Sequence, residues 1–170
     1  MMNALFMLSY MLATLLCGQV AKAQEQVSFQ LQLDPILLVA GSESRDLEPR
    51  NIDALLKIKW EFAQAKKGYT HFGGSYELID MPTDYHRFAL EGGYTFNQLF
   101  DYLSWGFYAD LGLSNYGAAT DFTYGFGLDF NFRVHEHLNL VLSQQTTRDT
   151  MLQTFIGKFL IGVQVELAKL

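Results

Sequence analysis

The sequence has a single cysteine, Cys17, placed in the apolar stretch near the start of the chain. The remainder therefore holds no disulfide framework, no thiolate metal centre and no cysteine nucleophile. There are only three prolines, Pro35, Pro49 and Pro82, so regular structure can run long without interruption. Beyond the start, no run approaches the eighteen or so consecutive apolar residues of a membrane-spanning helix; "PILLVAG" (35–41) is the longest plain one. Basic side chains are also scarce. Twelve Lys and Arg stand against eighteen Asp and Glu, a formal charge of −6 and the wrong sign for holding nucleic acid.

The first segment reads as a targeting signal. "ALFMLSYMLATLL" (4–16) is too short to span a bilayer as a helix. Ala21-Lys22-Ala23 then supplies the small–x–small pattern of a secretory cleavage site before Gln24, although no Lys or Arg precedes the apolar run. The pattern predicts a leader over 1–23 and one mature domain over 24–170. Leu16 before Cys17 is bulkier than an acylation site takes, which favours an ordinary leader cysteine.

What fills the mature chain is alternation. In "DFTYGFGLDFNFRV" (121–134), Phe122, Tyr124, Phe126, Leu128, Phe130, Phe132 and Val134 share one side, and Thr123, Gly125, Gly127, Asp129, Asn131 and Arg133 the other. Period two is the mark of a β-strand. The same pattern predicts eight strands, near 26–40, 52–64, 69–80, 85–96, 103–114, 121–134, 138–147 and 152–168. Turn formers and charges separate them, in "GSESRDLEPRN", "AQAKKG", "MPTD", "NQLFDY", "SNYGAAT", "HEH" and "TTRDTML". Pro35 predicts a bend or bulge within the first strand.

Period two does not say which face meets water. A soluble barrel would turn the apolar face inward. Here that face carries too many of the chain's 14 Phe, 9 Tyr and 2 Trp for the interior of eight strands, which side chains only just fill. The other face is small and charged, which suits a narrow lumen. The apolar face is therefore expected to meet lipid, in an all-β, eight-stranded antiparallel up-and-down transmembrane β-barrel. If the first strand runs outward, Trp60, Phe62, Tyr94, Phe96, Trp105, Phe130 and Phe132 gather near the periplasmic rim, where interfacial aromatics belong.

On this pattern residues 26–168 resemble the small eight-stranded outer-membrane barrels of the OmpA/OmpX type. The resemblance implies an outer-membrane location, short periplasmic turns and longer outer loops. Such barrels commonly end on an aromatic in register with the lipid face. "VQVELAKL" departs from this, since Leu170 is out of register with Val163, Val165 and Leu167.

Candidate chemistry concentrates in the lumen. Lys57, Lys59, Arg87, Arg133 and Lys158 share it with Asp53, Glu61, Glu77, Glu91, Asp110, Asp129 and Glu166. Buried charges must pair, so a plugging network is expected, and a gated ion path is the functional alternative. The "HEH" turn (135–137) lacks a third metal ligand, and "GFG" (125–127) lacks the third glycine and helix of a nucleotide site. His71 stands alone. Among the outer-rim residues available for lipid hydrolysis, His86 falls by parity on the lipid face and Ser114 in the interior, with Asp84 nearby, so no Ser–His pair is evident. The expectation is a monomeric, non-enzymatic barrel without metal or cofactor, in contact with outer-membrane lipids and with extracellular ligands or proteins at its loops. The alternatives are a membrane-embedded lipid-modifying enzyme and a soluble, secreted lipocalin-like barrel.

Overall fold

A computed structural model describes residues 25–40, 51–64, 68–80, 85–100, 102–117, 119–149 and 154–169. The expected leader with Cys17, most of "GSESRDLEPRN" and Asp84 lie outside the described residues. Eight strands form: β1 (Glu25–Leu33), β2 (Asp53–Gln64), β3 (Gly68–Ile79), β4 (Tyr85–Phe100), β5 (Leu103–Tyr116), β6 (Ala119–His135), β7 (Leu138–Asp149) and β8 (Thr154–Lys169). Each pairs antiparallel with its neighbours in sequence, and β1 pairs with β8 to close the barrel.

The closure is staggered. Paired residues can be followed from Phe96 on β4 through Trp105, Phe130, Leu142, Ile161, Leu33, Ala54 and Leu78. The path returns to β4 at His86, ten residues away. A stagger of this kind makes the strands lean from the barrel axis, typically by about 35–45°. Following the orientation expected from the sequence, we call the end where β1 finishes and β2 begins the outer end and the opposite one the periplasmic end.

The wall is apolar outside and charged within. Phe88, Leu90 and Phe126 are 64%, 61% and 59% exposed, whereas Lys57, Arg87 and Glu91 are each 1% exposed. No soluble lipocalin-like barrel could present this outer face to water, and that alternative falls. The apolar band is the surface that a bilayer covers.

β4 and β7 run on into the expected "NQLFDY" and "TTRDTML" turns, to Phe100 and Asp149, and two other connections differ in kind from the sequence expectation. The first strand ends at Leu33, and a short helix α1 (Pro35–Ala40) follows where strand was expected to continue. The cause is local. The Asp34 carboxylate accepts hydrogen bonds from the backbone N–H groups of Ile36 (2.9 Å) and Leu37 (3.0 Å). Pro35 stands first in the helix, where its missing N–H costs nothing. Pro35 thus opens a helix rather than bending a strand. At "SNYGAAT", β5 and β6 instead stay paired through Tyr116↔Ala119, leaving a tight turn in which Gly117 takes φ +60°. That left-handed conformation suits a short hairpin and favours glycine.

Candidate functional site: the charged lumen

At the outer mouth, α1 turns Leu37 inward. It is fully buried against Ile79 and Tyr85, in an apolar cap over the lumen. Just below, Lys158 on β8 reaches Asp53 on β2 (3.0 Å) and also contacts Glu77 on β3. Arg87 pairs with Asp110, while its Nε donates to Thr123 Oγ1 (2.8 Å). The second Asp110 oxygen accepts from the Gln145 amide (3.2 Å).

The middle of the lumen is bridged from side to side. Lys59 on β2 donates to Asp129 on β6, four strands away round the barrel, at 2.7 Å. The other Asp129 oxygen accepts from Ser143 (2.5 Å), whose hydroxyl oxygen in turn accepts from Gln32. Lys57 sits 3.1 Å from Glu91, with its ammonium 3.6 Å from the centre of the Tyr108 ring. That ring lies over Gly127, where any Cβ would overlap it. The "GFG" glycine at 127 is therefore space left for an aromatic ring, in keeping with its failure as a nucleotide fingerprint. Nearer the periplasmic end, Glu61 accepts from Ser28 (2.7 Å) and Gln164 (3.1 Å).

Of the charges assigned to the lumen, Asp53, Lys57, Lys59, Glu61, Glu77, Arg87, Glu91, Asp110, Asp129 and Lys158 are all buried, while Glu166 is only half-buried beside His137. Arg133 is exposed at the periplasmic end of β6, where the β6–β7 register shifts between Arg133 and His135. Strict alternation carries it inward, but the strand passes the last lumen layer before reaching it.

The aromatics selected from the sequence gather at the periplasmic end. Phe96, Trp105 and Phe130 are successive partners across β4, β5 and β6, with Phe96 stacked on Trp105 at 4.5 Å between ring centres. Tyr94 meets Phe96 edge-on at 4.9 Å. Trp60 and Phe62 lie on the outward face of β2, and Phe132 one layer beyond Phe130.

The outer-rim residues do not converge. The His86 Nδ1 is 2.7 Å from the Tyr76 hydroxyl on the outward face, whereas Ser114 is buried on the inner face. The wall itself separates them. At the opposite end, His137 lies 3.7 Å from Glu166.

Sequence reasoning missed the α1 cap and the uncharged partners Gln32, Thr123, Ser143 and Gln145. Asp34-Pro35 was the available signal for the cap. The uncharged partners had none, because cross-lumen pairing depends on register.

The inverted wall, the strand number and the stagger define a class: the transmembrane β-barrels of outer membranes. Comparison with solved structures agrees. The N-terminal barrel of Pseudomonas aeruginosa OprF superposes with a TM-score of 0.60 at 12% identity, over 86% of this chain and 100% of that one. Yersinia pestis Ail in a phospholipid nanodisc gives 0.53 at 14% identity, over 86% and 100%. Neisserial surface protein A gives 0.50 at 11%, over 84% and 97%. No family model and no curated protein matches the sequence. The kinship shown is one of fold.

Proposed function

We propose that this protein is a non-enzymatic outer-membrane barrel whose lumen is closed by its own side chains. Its work is then envelope structure and contact with the surroundings through its outer connections. The observation that carries this reading is the Lys59–Asp129 bridge spanning the lumen, with ion pairs above it and the Leu37 cap at the mouth. Eight strands leave room for side chains rather than a water column, and paired charges hold those side chains in place. Residues 1–23 are the export leader in this reading, and the aromatic group from Trp60 to Phe132 is the periplasmic girdle.

Ail has been seen with the heparin analogue sucrose octasulfate. The present chain, at a formal −6, has the wrong overall sign for a polysulfate. The closed lumen is tested in planar bilayers. The intact protein is expected to show no steady conductance. A large, stable, open conductance would overturn the closed-lumen reading and put a pore in its place.

A further inference from the structure

The outward face of β7 is unlike the rest of the wall. From the periplasmic end it reads Leu138, Leu140, Leu142, and then Gln144, Thr146 and Arg148. Gln144 is exposed and lies in the middle of its strand, between the outward-facing Leu128 on β6 and Phe159 on β8. Its amide has no hydrogen-bond partner among the described residues. Arg148 is accounted for near the rim, where its guanidinium stacks over Phe155 at 5.2 Å. Gln144 has no such relief. A carboxamide facing hydrocarbon without a partner is costly, and a polar side chain at this depth is a functional signal by default.

We infer that the β6–β8 wall is a self-association surface, with Gln144 paired to Gln144 of a second copy. The carboxamide explains why the partner is this same chain. It carries both donor and acceptor, so two of them facing across a two-fold axis satisfy each other reciprocally. Copies exported alike share one orientation, and the axis then runs along the membrane normal. Strands leaning by about 35–45° in both copies cross at roughly twice that angle, so the walls touch closely at one point. The space for that approach is present. Gly157, the β8 partner of Thr146 beside Gln144, has open space where a Cβ would project. A small contact centred on one polar pair predicts an association that is reversible and depends on density in the membrane. The monomer expected from sequence is thereby replaced by a monomer–dimer equilibrium.

The test uses the full chain in outer-membrane vesicles, in a Cys17→Ser background so that the introduced thiol is the only one. With a membrane-permeant oxidant and Gln144 retained, Thr146→Cys, one outward position along β7, should form disulfide-linked dimer about tenfold faster than Leu90→Cys on the outward face of β4. Single-molecule photobleaching of otherwise unaltered protein should show two-step traces that rise with density. Gln144→Leu should abolish them while leaving the barrel folded by its gel mobility, and Gln144→Asn should restore them in part. Equal crosslinking of Thr146→Cys and Leu90→Cys would overturn the proposal. So would one-step traces at every density, which would mean that lipid alone covers Gln144, or an undiminished dimer in Gln144→Leu.

Discussion

Asp129 and Phe126 stand three residues apart on β6 and live in opposite solvents. Asp129 is 3% exposed and held by Lys59 and Ser143, whereas Phe126 is 59% exposed on the wall. In a water-soluble protein these accessibilities would be reversed. The lumen is a crowded space in which charged side chains are held by opposite partners. The wall is a smooth one, where bulk and apolarity suffice and neighbours matter little. The difference teaches that the two faces should fail for different reasons when changed: the lumen through stranded partners and collisions, the wall through transfer into lipid.

The largest effect is expected where a buried pair is broken. Lys59→Met should destabilise the barrel by about 3–5 kcal/mol by leaving Asp129 charged and unmatched. The double change Lys59→Met with Asp129→Leu should recover much of this, as read by urea unfolding in lipid vesicles. A double variant no more stable than the single one would show that the bridge is more than a charge pair.

On the wall, Phe126→Arg should cost about 2–4 kcal/mol in the same assay, the midplane cost of a cation, while Phe126→Leu should be nearly silent. If Phe126→Arg folds in lipid as stably as wild type, the inside-out assignment fails.

Two glycines sharpen the contrast further. Gly127→Ala forces a methyl group into the Tyr108 ring and should cost about 1–3 kcal/mol by overpacking. Gly74→Ala, on the outward face of β3 with its nearest neighbour 3.9 Å away, should stay within about 0.5 kcal/mol. Equal losses at the two positions would mean that backbone freedom, rather than crowding, places these glycines. The smallest definite effect is expected at the mouth. Asp34→Ala removes the cap of α1 and should cost about 1 kcal/mol, with faster amide exchange at Ile36 and Leu37.

Much of the contrast between lumen and wall is legible in the residue pattern. Alternation marks all eight strands and assigns Lys57, Glu91 and Asp110 to one face and Phe88, Leu90 and Phe126 to the other, because the period of a strand is a property of the backbone. Residues 35–40 mislead because an apolar run of that length fits strand and helix alike, and the deciding atoms belong to one side chain, Asp34. Arg133 misleads because alternation carries no depth. It tells which way a side chain points but not whether a lumen remains at that level. Gln144 breaks the outward pattern in plain view, yet its meaning depends on knowing that its strand middle lies in lipid with no partner among the described residues.

The sequence by itself determined strand number, strand faces and, through the bulk of the aromatic face, which solvent each face meets. Those are local or additive quantities: a two-residue period and a volume. Which cation meets which anion was decided only by the closed barrel. Lys59 and Asp129 are seventy residues apart and become partners through a ten-residue stagger accumulated over eight strand pairings. A slip of one residue in a strand's pairing would have turned that strand's lumen charges toward lipid.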